Sequence, residues 1–167
     1  MKINIIRAII IILLIGTFFL IFGFSNEDAT KSSSRSKEIS ETIVNITRKK
    51  ESKEEKNRIV KIIEPRIRKI AHFLIYTLVG VLSMSLFSTY NLKEKNRVLI
   101  SLLIGAIYAA TDEIHQSFVP GRGPQATDVI IDTMGTLMGT LLVLVIIKLF
   151  QEIKEKNVKK RGKMVEK

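Results

Sequence analysis

Hydrophobic positions fall in four blocks along the chain, at 8–24, 70–90, 98–110 and 129–150, and nearly all charged positions lie between them. A helix that crosses a bilayer needs about 20 apolar residues. The second and fourth blocks meet that length. The first comes close, and Arg7 at its start can reach outward to extend it. The third block is purely apolar only to Ala110. Its helix must therefore continue to about Val119 in order to cross, which places Asp112, Glu113, His115 and Gln116 in its last two turns. The pattern predicts an all-α polytopic membrane protein: a four-transmembrane-helix bundle with spans at about 5–24, 70–90, 98–119 and 128–150. Residues 1–150 form a single membrane domain, and 151–167 form a Lys-rich tail expected to fray. A cleaved secretory signal is the rival reading of the first block. The bulky Phe22-Gly23-Phe24-Ser25 lacks the usual small-residue cleavage pattern, which favours an uncleaved span.

The connecting segments carry their own signals. Ser32-Ser33-Ser34 reads as a flexible joint. Ile39, Ile43 and Ile46, then Ile59, Ile62 and Ile63, recur at helical spacing among Lys and Glu. This predicts one or two amphipathic helices between the first and second spans, lying on the bilayer or over the bundle. A solvated helix with a partner-binding stripe is the alternative. Glu64-Pro65 is expected to end that segment, with Pro65 in the first turn of the next helix. Pro120-Gly121-Arg122-Gly123-Pro124 excludes helix and requires a tight turn.

Composition alters this picture in two places. The 167 residues carry a formal net charge of +11 with 46% hydrophobic residues. In a soluble protein that excess would suggest nucleic acid; here it fits loops and tails against anionic lipid, and no nucleic-acid partner is expected. No Cys is present, so disulfide and thiolate chemistry are excluded. Lys93, Lys95 and Arg97 fill one short loop, Lys2 and Arg7 the amino end, and Lys154, Lys156 and Lys159 the tail, whereas Arg122 stands alone in the last loop. The preference of cationic loops for the cytoplasm puts both termini inside and the amphipathic segment outside. Arg66, Arg68 and Lys69, which abut the second span, oppose that orientation.

With this topology the unusual polar residues meet at one end of the bundle. Ser25 ends the first span, His72 starts the second, Asp112, Glu113 and Gln116 end the third, and Asp128 and Asp132 start the fourth; Arg122 lies in the turn beside them. Helical spacing places Arg68, His72 and Tyr76 on one face, Tyr108, Asp112 and Gln116 on a second, and Asp128, Asp132, Gly135 and Gly139 on a third. Gly135 and Gly139 form a small-x-x-x-small pair suited to close helix approach, so Asp132 belongs on the packed face. His115 falls off the Asp112 face, toward the rim. Each residue also has a plainer reading: Asp112 or Glu113 pins the turn by an ion pair to Arg122, His72 is an interfacial side chain, and the glycines only pack. Asp132 is hardest to dismiss, since an acid inside a span needs a partner or a function.

These residues carry a resemblance. Phe22-Gly23-Phe24-Ser25-Asn26-Glu27, Lys69-Ile70-Ala71-His72-Phe73-Leu74-Ile75-Tyr76, Thr111-Asp112-Glu113-Ile114-His115-Gln116-Ser117-Phe118-Val119-Pro120-Gly121-Arg122 and Asp128-Val129-Ile130-Ile131-Asp132-Thr133-Met134-Gly135 together resemble the VanZ-like family of bacterial integral membrane proteins. Position 132, often Asn in that pattern, is Asp here. The resemblance implies a multi-pass protein of the bacterial cell membrane, associated through the family's named member with low-level resistance to the glycopeptide teicoplanin. It implies no catalytic mechanism.

Two functions compete on these residues. In the first, an outward-facing pocket of Ser25, His72, Tyr76, Asp112, Glu113, Gln116, Arg122, Asp128 and Asp132 binds an anionic headgroup, a lipid-linked cell-wall intermediate or the glycopeptide itself. Arg122 is then a two-pronged donor to phosphate or carboxylate. In the alternative, the protein is an intramembrane hydrolase or transferase acting on lipid-linked phosphates. Asp112, Glu113 and Asp128 would hold a divalent cation there, and His72 would serve as acid or base. Nothing in the spacing fixes a metal, names a cofactor or sets the oligomeric state. Transport through Asp132 ranks below both, because four spans are few and no inverted repeat is visible.

Overall fold

The computed structural model describes residues 2–165. They form five helices: α1 (Lys2–Ser25), α2 (Ala29–Thr47), α3 (Lys53–Ser88), α4 (Glu94–Gln116) and α5 (Ala126–Val165). Four of these, all but α2, are long and apolar enough to cross a membrane. The protein is thus an all-helical, four-span membrane bundle with an additional helix between its first and second spans.

The bundle is antiparallel, and its ends are recognisable by their contacts. At one end Arg7, near the start of α1, caps the end of α3. It donates through Nε to Thr89 Oγ1 at 2.9 Å and through its guanidinium to the Thr89 carbonyl at 2.6 Å, and it stacks over Tyr90. Lys148 of α5 reaches Glu94 at the start of α4 there as well, at 3.1 Å. The opposite end holds the exit of α1, the exit of α4 and the start of α5.

The most extensive interface joins α3 to α5. It is close because small residues face backbone across it. A Cβ added at Gly135 would strike the Phe73 carbonyl, one at Gly139 the Thr77 carbonyl, and one at Gly80 the Thr136 carbonyl. Lipid tails are as apolar as Leu, so helices in a bilayer gain by tight van der Waals contact rather than by burying hydrocarbon. The outward faces accordingly carry the large residues: Phe19, Leu74, Ile107 and Ile130 are all exposed. The buried core is correspondingly small, with Leu14, Ile21, Tyr76, Val79, Leu82 and Ala109 at its centre.

The segment between the first two spans departs from expectation twice. Ser32-Ser33-Ser34 is not a joint; it lies inside α2. Asp28 caps that helix, accepting from the Lys31 N–H at 2.8 Å and the Thr30 hydroxyl at 2.6 Å. Those two bonds hold its carboxyl below the usual Asp range, the Thr30 hydroxyl being the larger cause. The expected amphipathic helix is present as α2, and its isoleucine stripe is the more exposed side. Ile39, Ile43 and Ile46 are exposed, while Ser32, Ser36, Ser40 and Val44 are buried. The buried hydroxyls bond within the helix, Ser36 to the Ser32 carbonyl at 3.2 Å and Ser40 to the Ser36 carbonyl at 2.7 Å. The serine face is thereby small and satisfied, and α2 lies close against α3 along it.

The second departure is Pro65, which does not begin a helix. It sits inside α3, which starts at Lys53 with Ser52 as its cap and runs unbroken to Ser88. An interior proline removes one backbone bond and costs about 3 kcal/mol. The packing of α2 along the part before it and the apolar span after it offset that cost. The tail also differs from expectation, since α5 continues past Phe150 as helix to Val165. The Lys- and Glu-rich sequence from Gln151 to Arg161 contains neither Pro nor Gly and favours helix. Positions 166 and 167 of the expected tail lie outside the described residues.

Candidate functional site

The polar residues meet where the sequence places them, at the end of the bundle formed by the exits of α1 and α4 and the start of α5. The turn 117–125 joins α4 to α5 there and is fixed from both sides. Gly121 takes φ 75°, a left-handed conformation that suits glycine. The Pro120 carbonyl accepts the Ala29 N–H at 3.3 Å. Arg122 donates to the Ser25 carbonyl at 3.3 Å and the Phe24 carbonyl at 3.2 Å, capping the end of α1. Burial, and next to it the charge of Arg68, pull the Arg122 pKa below its ordinary value. Arg122 forms no ion pair with Asp112 or Glu113 among the described residues. The expected carboxylate clamp on Arg122 is therefore replaced by two main-chain carbonyls.

Beneath the turn, Asp112 is held between two helices. Its Oδ2 accepts from Ser25 Oγ at 2.8 Å and from Gln116 Nε2 at 2.9 Å, and Gln116 also donates to Ser25 Oγ at 3.2 Å. This triangle is buried and ties α1 to α4. Glu113 points elsewhere and accepts the Gln125 N–H, fixing the chain just before α5. His115 stacks on Phe22 of α1, ring centroids 4.7 Å apart, in keeping with its expected place at the rim.

Across the interface, Asp132 on α5 faces His72 on α3, with His72 Nδ1 3.4 Å from Asp132 Oδ2. Asp128, one turn earlier, is 2.8 Å from Lys69 Nζ. Tyr76, one turn below His72, is fully buried and its hydroxyl has no hydrogen-bond partner. Tyr108 shares the Asp112 face as expected, donating to the Phe18 carbonyl at 2.6 Å.

These elements enclose two adjoining cavities. The first, about 80 Å³, is polar. His72, Gln116, Arg122, Asp128 and Asp132 line it, joined by Arg68 and Lys69. The second, about 250 Å³, is mainly apolar and runs between α1, α2 and α3 past Ile21, Ile39 and Ile75. Arg68, His72 and Arg122 border both. Of the residues singled out from sequence, Ser25, Tyr76, Asp112 and Glu113 lie outside the lining of the polar cavity. Two cations of that lining, Arg68 and Lys69, were absent from the expected set. The signal for Arg68 was its position four residues before His72.

The cation set expected from sequence, Asp112, Glu113 and Asp128, is not assembled. Glu113 is committed to the turn and Asp128 to Lys69. A different trio is close-set instead. His72, Asp112 and Asp132 each offer one ligand atom, all within 4.8 Å of one another.

Fold and site together define a four-span helical membrane protein with a polar cavity at one end of the bundle and an apolar groove beside it. Residues 10–149 match the family model described as VanZ/LLP1, and the chain belongs to that family. No curated protein matches the chain, and no solved structure does.

Proposed function

We propose that this VanZ-family protein sits in the bacterial cell membrane and binds the anionic headgroup of a lipid-type cell-envelope molecule in its polar cavity. In this reading both termini are cytoplasmic and the cavity opens on the outer side, as the cationic stretch of Lys93, Lys95 and Arg97 favours. The supporting observation is the junction of the two cavities. A pocket with Arg68, Lys69, His72 and Arg122 on its walls suits phosphate or carboxylate. The groove that shares Arg68, His72 and Arg122 with it suits the attached hydrocarbon. A lipid-linked cell-wall intermediate has both parts. Holding such a molecule would lower glycopeptide access to its target, and so lower susceptibility to teicoplanin.

Arg68 is the cleaner probe than Arg122, because Arg122 also caps α1. Among the described residues Arg68 forms no ion pair. Full-length protein purified in mild detergent is expected to carry over anionic lipid-linked phosphates above their share of the membrane. Arg68→Gln is expected to lower that enrichment about tenfold at equal protein level, the effect of one charge-assisted bond. A copurified lipid profile equal to the bulk membrane, in both proteins, sinks the reading. The catalytic alternative separates in the same preparation, since it alone requires release of a cleaved product.

A further inference from the structure

Three carboxylates are buried at the polar end of the bundle: Asp112, Glu113 and Asp132 are 6%, 7% and 2% exposed. Among the described residues no Lys or Arg forms an ion pair with any of them. Glu113 accepts a main-chain N–H and Asp112 accepts two side-chain donors. Asp132 has only the long contact to His72, and its Oδ1 is buried with no partner at all. The Tyr76 hydroxyl is also buried and unpartnered. Buried carboxylates without opposite charge are strongly disfavoured unless something neutralises them.

The donors that are in excess are also close together. Oxygen and imidazole donors sit about 2.0–2.6 Å from a divalent ion, so donors on opposite sides of one ion are about 4–5 Å apart. The ligand atoms of His72, Asp112 and Asp132 fall within that span. They come from three different helices, α3, α4 and α5, whose positions are set by the glycine contacts and by the Ser25–Asp112–Gln116 triangle. We propose that His72, Asp112 and Asp132 form a binding site for a divalent cation.

An imidazole with two carboxylates suits borderline Zn²⁺ or, among the harder ions, Mn²⁺, rather than Mg²⁺ or Ca²⁺, which prefer all-oxygen shells. Three protein ligands leave coordination positions open. His72 and Asp132 also line the polar cavity, whereas Asp112 lies behind its lining. The site stands whether or not a lipid headgroup binds above it.

The test is metal binding by the full-length protein in detergent, stripped with chelator and dialysed against Mn²⁺ or Zn²⁺. About one ion per chain is expected to be retained, with a rise in the thermal midpoint on metal addition, as linkage requires. Asp132→Asn and His72→Gln are each expected to weaken retention at least tenfold, consistent with loss of one of three protein ligands. Glu94→Gln, at the other end of the bundle, is expected to bind as the wild type does. Wild-type protein that retains no more metal than an empty micelle overturns the site whatever the variants do. So does either ligand variant that elutes as a folded species by gel filtration and binds with unchanged affinity. If Asp132→Asn aggregates, His72→Gln and the wild-type stoichiometry decide the matter.

Discussion

Arg122 shows how one side chain can be assigned the right place for the wrong reason. Its location between glycines beside the exits of α1 and α4 follows from the turn chemistry of 120–124. Its partners, the Phe24 and Ser25 carbonyls, do not, because nothing in a sequence marks which helix end lacks hydrogen bonds for its last carbonyls. Arg122→Ala is therefore expected to loosen the fold before it affects any ligand. Loss of two charge-assisted bonds, partly solvated, should destabilise the protein by about 1–3 kcal/mol, read as a lower thermal midpoint in detergent. Arg122→Lys should recover little of this, since an ammonium lacks the fork that spans two carbonyls. Asp112 makes a parallel case: Ser25→Ala removes one of its donors without adding bulk, and about 1 kcal/mol of stability is expected to go with it. An unchanged midpoint for Ser25→Ala would show that the α1–α4 triangle contributes nothing.

At the scale of helices, the four spans and their meeting point were legible because length and polarity decide them. A run of about 20 apolar residues crosses, and the acids at its end mark the side on which it emerges. The shared faces were legible too, since Gly135 and Gly139 do meet α3 and Tyr108 does lie with Asp112. Periodicity gives a face but not what covers it. Side-chain hydrophobicity alone would bury the Ile39–Ile43–Ile46 stripe. The serine stripe is buried instead, because its small side chains let α2 approach α3 closely. Pro65 misled for a related reason: its local preference was weaker than the packing on both sides of it. Two substitutions test this account. Gly139→Leu places a side chain against the Thr77 carbonyl and should cost about 1–3 kcal/mol or abolish folding, seen as loss of monodisperse protein. Ser36→Leu should instead lift only α2. Limited proteolysis at 48–52 should then accelerate while the spans remain protected, as expected of a unit that opens on its own. Equal proteolysis of Ser36→Leu and wild type would mean that the serine face does not hold α2 in place.

The whole molecule has a polar end and a plain end, and the topology predicts which faces outward. The absence of Cys makes this easy to measure. Glu51→Cys, in the α2–α3 connection, is expected to react with a membrane-impermeant maleimide on intact cells. Asn96→Cys, at the start of α4, is expected to react only after lysis. The reverse pattern would put the polar cavity on the cytoplasmic side and remove its access to cell-wall intermediates and to external glycopeptide.

The continuity of α3 has a mechanical result. Its 36 residues, at 1.5 Å each, make a rod of about 54 Å, against about 30 Å of hydrocarbon. Nearly half of it stands clear of the bilayer as a lever arm with α2 strapped along it, and the fulcrum falls close to His72. A force or a partner acting on that arm tens of ångströms from the acids would be felt among them directly, with no loop in between to absorb the motion.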